Sequence, residues 1–324
     1  MKQVRYYVVA ILFIMSFAFT SSCSQPTSKN PAQVLFEATT PCNEVLKKML
    51  KIPSAAPCEM VKWMLTLYRD PKTSTSSTFH LSCEYGVPKQ GTRGFTKGAT
   101  IIELKGKWAT GNGIEANSKA TVCTLNADDA SISLSFMQLD QNLLHLLDTE
   151  GHLMVGTAAW SYTLNRVDPV AVSSKKFLPD PKLQLHTTGD STIVGIYDGR
   201  IPCKGLKQAF KDISGKGCQI IKCEIILYQE VETHTPAAFQ LNAIYVGEGD
   251  SRHITTGKWT ITQGKLDDSS AIVYQLQPMA GTLIQPLYLL KADDNILLFI
   301  DKDGSLMVGD SYCSYTLNRA KKKW

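Results

Sequence analysis

The segment GHLMVGTAAWSYTLNR at 151–166 returns as GSLMVGDSYCSYTLNR at 304–319, an offset of 153 residues. Other matches keep the same order: FEATTPC (36–42) with YDGRIPC (197–203), FHLSCEYG (79–86) with FQLNAIYV (239–246), and GKW at 106–108 and 257–259. Length changes of one and nine residues separate the matched blocks. A chain that repeats itself in this way is two copies of one unit of about 125 residues, each long enough to be a domain. The segment 167–190 between them carries three prolines and no sustained period, and reads as a linker.

Within each copy the apolar residues recur mostly with period two. WMLTLY, FHLSCEY, TIIELKGKW, ATVCTL, ISLSFMQL and SYTLNR are short, rich in β-branched and aromatic residues, and separated by Gly, Asn, Asp and Ser. Short strands at this spacing predict an antiparallel sandwich or a small barrel. DTEG and DKDG lie between apolar runs and fit tight hairpin turns, with the glycine taking positive φ. One helical pattern stands out in each copy: Val45, Leu46, Met49 and Leu50 share a face, as do Leu206, Ala209, Phe210 and Ile213. A short helix with one apolar face would plug a barrel end.

The first 22 residues form a targeting segment. Lys2 and Arg5 precede the apolar run YYVVAILFIMSFAF, which is too short for a comfortable membrane span. Small residues and then Cys23 follow, a sequence that resembles a bacterial lipoprotein signal peptide. The resemblance implies cleavage before Cys23 and lipid on the new N-terminus; an ordinary secretory leader cut nearby is the alternative. Both readings export the mature chain, the lipoprotein one to the bacterial cell envelope with the outer membrane favoured. A formal net charge of +5 falls to +3 without Lys2 and Arg5, and the one basic run, Lys321 to Lys323, is terminal. Nucleic-acid binding requires clustered cations, so no nucleic-acid partner is expected.

Export changes the reading of the cysteines, because disulfides persist outside the cytoplasm. Nine cysteines less Cys23 leave eight, an even number. Cys42 and Cys58 occupy the positions of Cys203 and Cys218 in the other copy, so each pair is expected to bridge within its own unit. The other four are unmatched: Cys223 aligns with Trp63, Cys313 with Trp160, Cys83 with Ala243 and Cys123 with Tyr274. Positions that change together predict neighbours, hence bridges Cys223–Cys313 and Cys83–Cys123 and contact between Trp63 and Trp160. Copper or redox chemistry is the competing reading, since soft thiolates favour Cu(I).

These residues resemble a family. YDGRIPC, the second cysteine followed by alternating apolar residues, GKW and the closing D-x-x-G … YTL are similar to the N-terminal barrel of the NlpE-type copper-resistance lipoproteins. That family carries apolar residues at fixed spacings after the second cysteine of a C-x-x-C. Here Val61, Leu65 and Leu67 follow Cys58, and Ile221, Ile225 and Leu227 follow Cys218, at those spacings. The motif is split by the helical insert, which removes the compact chelate of close spacing. The resemblance implies an envelope lipoprotein built on a small antiparallel barrel, with a possible link to copper or surface stress. The expected architecture is mainly β: a signal peptide at 1–22, a tether at 23–35, barrels at 36–166 and 191–320 and a linker at 167–190, each barrel with a disulfide-linked helical insert.

No other site competes strongly. His80, His145, His152, His186, His234 and His253 form no metal-binding pattern and read as solvated or incidental. Met154 and Met307 are repeat-matched and read as barrel-end filling, Trp108 and Trp259 as strand-end packing, and the acidic Asp148, Glu150, Asp301 and Asp303 as turn residues. No nucleophile elbow, P-loop or dinucleotide fingerprint is present. The expectation is therefore a non-enzymatic binding or sensing lipoprotein, anchored to a membrane by lipid and meeting an envelope protein partner, without a firm cofactor. The alternatives are a structural or adhesive surface protein, and a carrier holding a small hydrophobic ligand within a barrel lined by Phe79, Phe239 and the tryptophans.

Overall fold

Alternating burial closes the chain into two barrels of eight antiparallel strands each. The computed structural model describes residues 33–114, 117–128, 131–170, 177, 190–211, 217–247, 249, 251–263 and 271–321. The first barrel comprises β1 (Gln33–Pro41), β2 (Met60–Arg69), β3 (Ser76–Gly86), β4 (Thr100–Ile114), β5 (Asn117–Ala127), β6 (Ser133–Gln138), β7 (Leu143–Leu146) and β8 (Thr163–Arg166). A helix, α1 (Glu44–Met49), intervenes between β1 and β2. Each strand pairs with the next, and β8 returns to β1 through Phe36 opposite Arg166 and Glu37 opposite Asn165. The predicted tether therefore ends earlier than expected, because β1 already begins at Gln33. The leader, Cys23 and most of the linker lie outside the described residues.

The second barrel repeats this order with β9 (Ser191–Pro202), β10 (Ile220–Glu230), β11 (Pro236–Val246), β12 (Arg252–Gln263), β13 (Ile272–Ala280), β14 (Leu287–Lys291), β15 (Ile296–Ile300) and β16 (Thr316–Arg319). It closes where Asn318 meets Asp198 and Arg319 meets Tyr197. The strands turn apolar side chains inward: Val61, Trp63, Leu65 and Leu67 on β2, and Ile221, Cys223, Ile225 and Leu227 on β10. Their outer faces are mostly polar, as Lys62 and Thr66 on β2 and Ser82 and Glu84 on β3 illustrate. This polarity is the reverse of a barrel that faces lipid.

The matched pairs Cys42–Cys58 and Cys203–Cys218 are bridged, with Cα separations of 5.6 and 5.9 Å. The inserts they enclose differ. In the first barrel Asn43 caps α1, its side chain accepting from the Leu46 amide, while Leu46, Met49 and Leu50 enter the core. Each such side chain stabilises the barrel end by about 1.5–3 kcal/mol. In the second barrel no α-helix forms at 204–209. Lys204 stands where Asn43 caps, Gly205 follows, and the chain makes successive turns with Leu206 N–H donating to Cys203 O. The missing cap and the glycine account for the difference. Leu206, Ala209 and Phe210 still plug the barrel, whereas Ile213 is outside the described residues.

The other two predicted bridges are corrected: Cys83, Cys123, Cys223 and Cys313 are buried free thiols. Cys83 pairs with Ile102 and Cys123 with Thr110 on the same strand β4, eight residues apart. That is about 26 Å along the strand, far beyond disulfide reach. Cys223 faces the interior of the second barrel opposite Gly199, while Cys313 precedes β16, on the other side of β9. Strands two steps apart are about 9.6 Å from each other. Trp63 and Trp160 likewise do not touch. Trp63 lies in the first core, donating to Thr40 Oγ1 at 2.9 Å and meeting Phe136 edge-on, and Trp160 meets Tyr312 of the other barrel.

Candidate functional site

From Pro31 onward the chain forms one compact unit, and the strongest repeat match lies where its two barrels meet. The outer faces of β7 and β15 are as buried as their inner faces. Leu143 and Leu147 of the first barrel meet Val273, Ile296, Leu298 and Ile300 of the second, and Phe177 of the linker enters the same cluster while its amide donates to Gly304 O. Polar groups cross this seam with twofold symmetry. Ser161 Oγ lies 2.6 Å from Ser314 Oγ, and Thr163 Oγ1 lies 2.9 Å from Thr316 Oγ1, each pair being the same residue in the two copies. Gly309 N–H donates to Asn165 Oδ1 and Gly156 N–H to Asn318 Oδ1, both at 2.8 Å. The same carboxamides donate in return, Asn165 to Asp310 O and Asn318 to Thr157 O. Glycine is required at both places: a Cβ on Gly156 or Gly309 would collide with backbone and press on the crossing asparagine.

The seam explains the repeat-matched residues LMVG and SYTLNR, because an isologous contact uses the same patch twice. Asn165, Asn318, Gly156 and Gly309 were not singled out from the sequence. Their signal was available in the loss of alternation in LLHLL and ILLFI, strands apolar on both faces.

A cleft with a volume of about 790 Å³ opens beside the seam. Glu37, Asn165 and Arg166 line one side, and Lys204, Met307 and Tyr315 the other. Arg166 is held by Asp168 at 3.1 Å, and this hydrogen bond keeps the Asp168 carboxyl below its usual range. Two smaller grooves flank the seam. One, of about 310 Å³, includes Glu37, Lys62, Arg93 and Tyr312; the other, of about 440 Å³, includes Asp198, Lys222, Arg252 and Ala159. Glu37 and Asp198, and Lys62 and Lys222, are repeat partners, so the grooves are counterparts. Each mixes cations with carboxylates, which suits a polar partner surface better than a simple anion.

The residues predicted from the sequence take structural places. Asp148 Oδ1 accepts from the Glu150 and His152 amides, and Asp301 Oδ1 from those of Asp303 and Ser305, with Gly151 and Gly304 at positive φ. Trp108 and Trp259 are buried and donate to Tyr68 O and Tyr228 O, both at 2.7 Å. Met154 and Met307 pack at the two cores. Burial pushes the Cys123 and Cys313 thiols up to about 12 and raises Cys83 and Cys223 as well, so these cysteines stay protonated. Cys42 and Cys58 offer no thiolate while bridged, and no group of three or more His, Cys, Asp or Glu suited to a metal occurs among the described residues.

One repeat position differs in hydrogen bonding. Tyr315 Oη accepts from Gly205 N–H at 2.8 Å, whereas the equally buried Tyr162 hydroxyl has no partner among the described residues. Tyr162→Phe is therefore expected to be neutral or to stabilise by about 1 kcal/mol, and Tyr315→Phe to destabilise by about 1 kcal/mol by removing the hydrogen bond that the Gly205 amide makes to it. Urea denaturation of the two variants checks the ranking.

Comparisons with protein-family models, with curated proteins and with solved structures return no match.

Proposed function

We propose that this chain is an exported, lipid-anchored protein of the bacterial envelope that binds a protein partner at the junction of its two barrels. The reading assigns it no catalysis. The observation that carries it is the pair of bridged, repeat-matched cysteines, since such bridges belong to oxidising compartments. The leader ending at Cys23 supports the anchor, and the resemblance of both units to NlpE-type barrels supports an envelope role. The copper part of that resemblance is set aside, because its cysteines are joined to each other. A ligand inside a barrel is also disfavoured: Phe79 and Phe239 are 2% and 1% exposed, packed among the apolar side chains of their own cores. An adhesive role is the second reading, favoured by the exposed Ile254 and Met279 near Gly281 on the second barrel.

The test is expression in a bacterial host with labelled palmitate, followed by fractionation and crosslinking. Wild type is expected to take the label, sediment with membranes and crosslink to an envelope protein. Cys23→Ala is expected to lose label and sedimentation together. Export without label would remove the anchor, and retention in the cytoplasm with reduced thiols would overturn the whole reading.

A further inference from the structure

At one buried position of the seam a titratable ring stands where the other copy has an aliphatic side chain. His145 on β7 is 0% exposed, and its repeat partner is Leu298, in the apolar cluster of the same seam. Leu144 and Leu146 on either side point into the first barrel, so the imidazole points out of it. Both ring nitrogens are engaged. Nε2 lies 2.9 Å from Met154 O, which only accepts, so Nε2 carries the proton. Nδ1 lies 2.9 Å from Thr163 Oγ1 and accepts from it. With its hydrogen committed to the ring, Thr163 accepts from Thr316 Oγ1 across the seam. A short relay, Thr316 to Thr163 to His145 to Met154, thus joins the two barrels with every hydrogen assigned.

We infer that the barrel pair is opened by acid, with His145 as the group whose protonation loosens the seam. A proton on Nδ1 has no acceptor unless the Thr163 hydroxyl turns round, and its hydrogen, displaced from the ring, then competes with that of Thr316 for the bond across the seam. It also places a full positive charge between the barrels. The ring bonds to Thr163 of β8 and to the Met154 carbonyl of the following loop, its register partner on β6 is Met137, and Thr316 of β16 reaches it through Thr163. None of these carries a charge, and no charged side chain among the described residues acts on the ring. Burial accordingly holds His145 down to about 4, with the bond to Met154 O opposing this only in part.

The sign follows from linkage. A histidine exposed by opening has a pKa of about 6.5, so the open form takes up the proton more readily. The closed form is fully favoured above about pH 6.5 and loses ground as pH falls toward 4. Between pH 7 and pH 5 the open fraction should rise about 20-fold.

The amides of Gly156 and Gly309 donate across the seam and report its opening directly. Their hydrogen exchange in the full chain, corrected for intrinsic pH dependence, is the measurement. In wild type their protection is expected to fall about 20-fold from pH 7 to pH 5, while amides in the β2–β3 and β10–β11 ladders keep theirs. In His145→Leu, which copies the residue of the other barrel, the fall should be less than about twofold. His145→Gln keeps a donor and an acceptor without titrating and serves if the leucine variant does not fold. Constant protection in wild type, an equal fall in the variants, or an imidazole that titrates near its ordinary value in the folded protein would each overturn the inference.

Discussion

Replacing Cys42 and Cys58 together by alanine is expected to lower the unfolding free energy by about 3 kcal/mol, the chain-entropy value for a closed loop of this length. The bridge spans a sequence separation of 16 and encloses α1, whose Leu46, Met49 and Leu50 close the end of the first core. The helix retains its Asn43 cap without the bridge, but a six-residue helix has no stability of its own. Loss of the bridge therefore frees the plug as well as the loop. The matching change at Cys203 and Cys218 should cost at least as much, since that insert has turns and no capped helix to hold it. Urea unfolding followed by tryptophan fluorescence checks both, as Trp63 and Trp108 lie in the first barrel and Trp259 in the second. Midpoints equal to wild type would show that the bridges are not staples.

A carboxylate placed in the seam should act on the barrel pair and spare each barrel. Ile296→Asp is the sharpest case: Ile296 is 0% exposed, belongs to the cluster between the barrels and points away from the interior of its own. Loss of the apolar side chain and burial of an unpaired charge together cost about 4 kcal/mol or more, which opening of the seam relieves. The expected result is a chain with strand content unchanged by circular dichroism, a larger hydrodynamic radius, and two unfolding transitions in place of one. A single transition at the wild-type midpoint would show that the seam contributes little. By contrast, the polar His145 on the facing strand is tolerated because Met154 O and the Thr163 hydroxyl satisfy both its nitrogens.

Much of the fold was legible because barrels write a period of two into their strands. Val61, Trp63, Leu65 and Leu67 alternate with mostly polar neighbours, and the same pattern at Ile221, Cys223, Ile225 and Leu227 marks a second copy. The matched cysteines were legible for a related reason: Pro-Cys ends the first strand of each copy and the partner precedes the second, so closing the loop keeps neighbouring strands together. The unmatched cysteines misled. Cys223 and Cys313 replace Trp63 and Trp160 at once, yet one position faces a core and the other the seam. Joint change in a single pair of copies does not require contact when each site repacks independently. The second helix failed at two positions: apolar spacing was present, but Lys204 cannot cap as Asn43 does and Gly205 disfavours the first turn.

The sequence alone determined the two-copy plan, the antiparallel strands, the tight turns at Asp148 and Asp301 and the two staples, because each depends on local spacing or on loop closure over a short stretch. Tertiary structure alone decided the seam. Asn165 meets Gly309 and Asn318 meets Gly156 across more than 140 positions of chain, and no local pattern states which surface a barrel turns toward its twin. Burial on the outer faces of β7 and β15, and the isolation of His145 from any counter-charge among the described residues, follow from that choice because solvent is excluded only once the two surfaces meet.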